Sequence, residues 1–218
     1  MAVGVHQITE KFEQALCDYT GARYAIAVDN QSNALYLSLI YDNIIGKSIS
    51  IPCHTYPSVP CEIIRAGGFV NFIPSNTLLK GEYPLIGSRV WDSALRFTHN
   101  MYREGMFQCV SFTGAFKILK LSKGGAILLD DPDAYRWFKK ARNSGRDECS
   151  YHHDKFNMIG VNCYMEPEKA ARGLLLMQGF YDINGLPKDI PDVELPYPDL
   201  SQFPIYTRRF NSKWECGI

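Results

Sequence analysis

The most constraining feature of the chain is a recurring short unit: an apolar run of about five residues, a polar turn, then a segment with helical spacing. Tyr24–Val28 is uniformly apolar or aromatic, Asp29-Asn30-Gln31-Ser32 follows as a polar turn, and residues 33–41 continue as a helix. Similar apolar runs occur at 48–51, Phe69–Ile73, 89–92, 107–112 and Gly125–Leu129. Helical patterns occupy 7–19, 57–66, 133–143 and 167–178, the first carrying Ile8, Phe12, Ala15, Leu16 and Tyr19 on one face and stopping at Gly21. Runs this short are strands rather than helices. Strands that alternate with helices require crossovers, so the expected fold is α/β, a mostly parallel sheet between helices. In such sheets ligands bind beyond the carboxyl ends of the strands. The segments 29–32, 53–56, Asp92 and 111–117 all fall at such ends and should converge on one edge.

The 218 residues carry 23 basic and 23 acidic side chains, a balance that provides no broad positive field for nucleic acid or anionic lipid. Neither nucleic acid nor membrane is an expected partner. Cysteines at 17, 53, 61, 109, 149, 163 and 216 form no paired CxxC spacing, so no metal site is expected, and Cys53-His54 has no partner at ligand spacing along the chain. No run reaches the length of a membrane span and the first ten residues lack a targeting pattern, which with the odd cysteine count predicts a cytoplasmic, reducing setting.

Two residues carry the chemistry. Lys117 lies in Ser111-Phe112-Thr113-Gly114-Ala115-Phe116-Lys117, shortly before Gly124-Gly125, and Asp92 ends an apolar run upstream. A loop amine between buried strands, with a carboxylate at a neighbouring strand end, suits pyridoxal 5′-phosphate (PLP): the amine forms a Schiff base and the carboxylate keeps the pyridine nitrogen protonated. Lys120 and Lys123 satisfy the same composition, and spacing to the glycine pair favours Lys117.

The ordered pieces Tyr19-Thr20-Gly21-Ala22-Arg23-Tyr24, Ala34-Leu35, Pro52 to Tyr56, Asp92, Ser111-Phe112, Lys117, Gly124-Gly125, Arg142-Asn143-Ser144-Gly145-Arg146 and Gly160 to Met165 resemble the DegT/DnrJ/EryC1/StrS family of PLP-dependent sugar aminotransferases. The resemblance runs from about residue 8 to residue 179. It implies the large domain of the PLP-dependent transferase fold type I. By the same resemblance, Lys117 is the catalytic, cofactor-bonded lysine, Asp92 pairs with the pyridinium nitrogen, and Tyr56 stacks on the ring. Gln31, Ser32 and Ser111 hold the phosphate, and Asn162 reaches the phosphate of a second subunit, so a homodimer with shared sites is expected. The implied reaction moves an amino group from an amino acid, glutamate foremost, to a keto sugar linked to a nucleotide.

The sequence also departs from the family pattern. Gln31 replaces a glycine and Asn33 a small residue, Leu95 replaces a glutamine, Trp91 an acidic residue and Tyr164 a basic one. Between Ile73 and Arg89 only a short link stands where the family has a further helix and strand. The C-terminal small domain is largely missing, which divides the chain into a reduced PLP-binding large domain at 1–180 and a proline-rich arm at 181–218. These losses keep two alternatives open: a silent member used for binding or assembly, and a PLP enzyme of another reaction type.

Overall fold

The computed structural model describes residues 6–74, 77–78, 81–113, 119–182, 193–194 and 197–207. In chain order the elements are α1 (Gln7–Thr20), β1 (Tyr24–Val28), α2 (Gln31–Tyr41), β2 (Ser48–Pro52), α3 (Ser58–Arg65), β3 (Phe69–Ile73), β4 (Thr77–Leu78), β5 (Tyr83–Pro84), β6 (Val90–Ser93), β7 (Phe107–Ser111), β8 (Gly125–Leu129), α4 (Pro132–Ala141), α5 (Pro167–Asp182) and β9 (Val193–Glu194). The expected strands and helices are present. Their ends shift by a few residues, and the informative shift is at α2. It begins at Gln31 rather than 33, because the Asn30 side chain accepts the Asn33 amide at 2.9 Å and caps the helix two residues early.

A five-stranded sheet runs β1-β8-β7-β6-β5, with β6 and β7 parallel and the other neighbours antiparallel. The parallel pair β2-β3 joins it through an antiparallel bridge in which Ser50 and Ile86 exchange backbone hydrogen bonds of 2.9 and 3.0 Å. Among these strands β1, β2, β3, β6 and β7 therefore share one direction, and β5 and β8 oppose them. β5 reverses for a reason of chain length: a parallel neighbour needs a crossover of roughly a dozen residues or more. Here the chain instead turns directly from β5 into β6, with the Leu85 amide bonded to the Val90 carbonyl. Gly87 makes the turn at φ +106, and a Cβ there would stand 2.9 Å from the Ser48 carbonyl oxygen.

Alternation along the strands divides the core into two layers. Ile127 and Leu129 of β8 join Ile26, Val28, Leu35, Leu39, Ile63 and Phe138 beneath α2, α3 and α4. Ala126 and Leu128 face the other way, with Phe12, Leu16, Tyr19, Phe112 and Met177 beneath α1 and α5. Because both faces are covered, all five residues of β8 are buried.

β1 is an edge strand, and a buried ion pair occupies part of its edge. Arg142, 2% exposed, bonds the Ala27 carbonyl at 2.8 Å, pairs with Glu13 and meets Glu148 at 3.1 Å. The same Glu13 oxygen accepts the Ala27 amide at 2.8 Å. The motif arginine thus ties α1, β1 and the end of α4 together, and satisfies backbone groups that an open edge would leave unpaired.

The proline-rich part is described only in pieces. β9 pairs antiparallel with β4. Residues 197–207 cross the chain after β2, where the Leu200 amide bonds the Cys53 carbonyl and Leu200 is buried. Within this piece Leu200–Gln202 and Pro204–Tyr206 each form a short 3-10 turn. No described helix is long and apolar enough to cross a membrane.

Candidate active site

A cleft of about 760 Å³ opens at the carboxyl ends of β2, β6 and β7. Its lining includes Gln31, Ser32, Tyr56, Asp92 and Ser111, so five of the seven residues expected at the site are brought together. Lys117 lies outside the described residues. Of the other two candidate lysines, Lys123 lines the cleft and Lys120 is exposed. Asn162 is elsewhere: it is exposed and bridges Asn143.

Asp92 forms the floor. It is 3% exposed. Gln31 Nε2 donates to its Oδ1 at 2.5 Å, as does the Ala94 amide at 2.9 Å, while Tyr83 donates to Oδ2 at 2.9 Å. Three neutral donors stabilise the carboxylate in a place where burial alone would favour its protonation. Burial, and then the charge of Asp92, push the Tyr83 hydroxyl well above its usual range, so it remains a donor. Tyr83 is in turn hydrogen-bonded to Thr55.

Gln31 comes from the first turn of α2, and its amide also reaches the Cys109 carbonyl at 3.1 Å. The helix can begin this close to the sheet because residue 125 is glycine: a Cβ there would lie 2.7 Å from the Gln31 backbone nitrogen. The first-turn amides of Gln31 and Ser32 cannot be satisfied by helical carbonyls. With the hydroxyls of Ser32 and Ser111, which line the same cleft, they are donors of the kind that suit an anion. Tyr56 stands at the rim, 55% exposed, its ring in edge contact with Tyr197 at 5.6 Å.

Ser93, Gln108 and Glu82 alternate with Asp92, Cys109 and Tyr83 along their strands and so face away from the cleft. Glu82 there accepts Ser93 Oγ at 2.8 Å and Gln108 Nε2 at 3.0 Å, and pairs with Arg103 at 2.6 Å and with Arg96. This second buried carboxylate braces the floor from beneath. Tyr83 and Tyr197 were not legible as site residues, whereas Thr55 falls in the 53–56 segment expected at this edge. Tyr83 sits in the short link and Tyr197 in the proline-rich arm, where no periodic signal points inward.

The donor set fits PLP: a buried carboxylate for the ring nitrogen, an aromatic face at the rim, and a helix N-terminus with hydroxyls for the phosphate. Among the described lining residues Lys123 is the one basic side chain.

Several solved structures share the fold. Aligned over 80% of this chain, a protein of Bacillus cereus ATCC 10987, provisionally assigned as a PLP-dependent aminotransferase, has a TM-score of 0.65 at 21% identity. Helicobacter pylori PseC, an aminotransferase involved in the biosynthesis of pseudoaminic acid, covers 79% at TM-score 0.62 and 18% identity. The sugar aminotransferase CalS13 from Micromonospora echinospora covers 81% at TM-score 0.65 and 16% identity. The alignments take in 58%, 57% and 61% of those chains respectively, so this chain spans less than two thirds of their length. No curated protein matches the sequence. The profile of the DegT/DnrJ/EryC1/StrS aminotransferase family matches residues 5–77 and 99–185, and leaves out the hairpin with Tyr83 and Asp92. On that match, across most of its length, the chain belongs to the DegT/DnrJ/EryC1/StrS aminotransferase family.

Proposed function

We propose that the chain is the cofactor-binding part of a PLP-dependent aminotransferase that moves an amino group from an amino acid, with glutamate as donor, to a keto sugar linked to a nucleotide. The observation that carries this reading is the buried carboxylate of Asp92 on the floor of a cleft whose far end is the α2 N-terminus with Ser32 and Ser111. PLP, when bound, supplies an electron sink. The chain's own residues do the rest. Asp92 holds a proton on the ring nitrogen, Tyr83 and Ala94 keep Asp92 ionised and oriented, and Ser32, Ser111 and the α2 amides bind phosphate. Tyr56 would offer its ring to the cofactor, and Lys117 Nζ would supply the amine that anchors it and the base that moves a proton. Asn162 completes the phosphate site of a second copy, which makes the working unit a homodimer. Residues 1–180 serve as the large domain and 181–218 as an arm.

Borohydride reduction in the presence of PLP, followed by peptide mapping, should place the pyridoxyl adduct on Lys117. An adduct on Lys123 would transfer the role to the lysine that lines the cleft. Asp92→Asn should fold, since an amide oxygen still accepts the Ala94 amide, yet lose the spectral change on glutamate addition. Full glutamate response in that variant would remove Asp92 from the chemistry.

One observation favours a second reading. The Gln31 amide already occupies Asp92 Oδ1, in the manner of a built-in donor. A silent binding member would keep that contact permanently and would remain colourless with excess PLP.

A further inference from the structure

The dipeptide Cys53-His54, which has no ligand partner nearby in sequence, gains one in space. The Cys53 sulfur, a ring nitrogen of His54 and a carboxylate oxygen of Asp199 lie within 4.8 Å of one another. We propose that these three residues form a zinc site that clasps residues 197–207 to the chain after β2, at the rim of the cleft. This inference is independent of the cofactor reading.

The surroundings already have the form that outer partners of a metal site take. His54 Nδ1 is 2.9 Å from the Tyr197 carbonyl oxygen, a contact that puts the proton on Nδ1 and leaves Nε2 as the lone-pair nitrogen. Asp199 Oδ1 accepts both the Ser201 amide at 2.9 Å and the Ser201 hydroxyl at 2.6 Å, which orients the carboxylate. The Leu200 amide bonds the Cys53 carbonyl at 2.9 Å, so the backbone holds the two segments in register before any ion arrives. Tyr197, from the same arm, lines the cleft.

Thiolate, imidazole and carboxylate together select a borderline-soft ion and discriminate against magnesium and calcium, which take oxygen donors. Zinc accepts all three at 2.0–2.3 Å in a tetrahedron, with a fourth position left for water. Cys53 is 7% exposed, consistent with a dry, closed side to the site. The competing reading, a cysteine nucleophile activated by a histidine and an aspartate, needs the carboxylate on Nδ1. Here Nδ1 is engaged by a main-chain carbonyl instead.

The experiment uses the full chain after removal of adventitious metal. Zinc chloride is titrated against a chromophoric chelator, and cobalt(II) is added separately as a spectroscopic probe. A single tight zinc per chain and a near-ultraviolet thiolate-to-cobalt band are expected. Cys53→Ser should abolish the band. Cys53→Ser, His54→Gln and Asp199→Asn should each weaken zinc by roughly 100-fold or more, the upper end or beyond of what outer-shell changes cause. Asp199→Asn retains an oxygen for the Ser201 amide and serves as the variant in which folding is preserved. Cys61→Ser and Cys149→Ser, at exposed cysteines, should change nothing. Zinc should also slow hydrogen exchange at the Leu200 amide, and Asp199→Asn should remove that protection. Substoichiometric zinc, a cobalt band that survives Cys53→Ser, or a band that disappears with Cys61→Ser or Cys149→Ser would overturn the proposal.

Discussion

Replacing Gln31 by glycine separates two roles of that residue that act in opposite directions. Its amide makes a charge-assisted bond to Asp92 Oδ1 at 2.5 Å and a neutral one to the Cys109 carbonyl at 3.1 Å. A ligand whose ring N–H seeks Asp92 must displace the amide from Oδ1, where Ala94 already donates, or share Oδ2 with Tyr83. A hydrogen bond to a charged group contributes about 1.5–3 kcal/mol. If displacement is the route, Gln31→Gly should return that amount to the ligand, tightening binding by roughly 10- to 100-fold at about 1.4 kcal/mol per decade. The fold should lose the same bond, plus about 0.5–1 kcal/mol for glycine in the first helical turn, for a stability loss of about 2–4 kcal/mol. Pyridoxine 5′-phosphate is the suitable probe, because it has the phosphate and the ring nitrogen but no aldehyde, and its binding does not involve a lysine. Fluorescence titration gives the affinity and urea unfolding the stability. In a double-mutant cycle with Asp92→Asn the affinity gain should vanish. Unchanged or weaker binding in Gln31→Gly would refute the displacement argument and make Gln31 part of the ligand's own contact set.

Three further outcomes are expected. Arg142→Ala leaves Glu13 buried beside Ala27 without its cation, and should cost roughly 3–5 kcal/mol in urea unfolding, whereas Lys139→Ala, at a partly exposed neighbour whose partner Glu148 keeps Arg142, should cost less. Gly125→Ala drives a Cβ into the Gln31 backbone at 2.7 Å, so phosphate affinity measured by competition with inorganic phosphate should fall along with thermal stability; normal phosphate binding would show that the α2 N-terminus does not hold the anion. Burial pushes the Glu148 carboxyl up, but Lys139 and Arg142 outweigh it and hold the group below its usual range. Its contribution is therefore complete above the ordinary glutamate value of about 4.3 and is lost as pH falls through the lower folded value. Glu148→Gln should flatten the acid limb of a stability-versus-pH curve.

The local half of the fold was legible because it depends on local signals. Five-residue apolar runs and the helical faces of α1 and α5 are written in residue spacing, and the convergence of 29–32, 53–56, Asp92 and Ser111 follows from strands ending together. The parts that escaped depend on pairings between distant residues. The reversed β5 follows from a link too short for a crossover, yet nothing in Tyr83-Pro84 distinguishes a strand from a loop. The early start of α2 depends on the Asn30 side chain, which a polar turn conceals. Tyr197 and Asp199 meet Tyr56 and His54 only because the arm folds back across the end of β2. Gln31 was read as part of the polar turn before the helix and as a phosphate contact, a position from which its reach to Asp92 could not be inferred.

The hairpin that replaces a crossover also changes the order in which the site can assemble. Tyr83 and Asp92 are directly opposed across one tight turn, nine residues apart, whereas Gln31 approaches the same carboxylate from sixty-one residues away. Closing the short loop costs little chain entropy and is fast, while the long one waits for α2 to dock on the sheet. The loop lengths therefore predict that the acid acquires its phenol before the rest of the cleft forms, which would spare the folding chain a bare charge within its sheet. The helix that later brings the phosphate-binding turn closes over a floor whose hydrogen bonding is already in place.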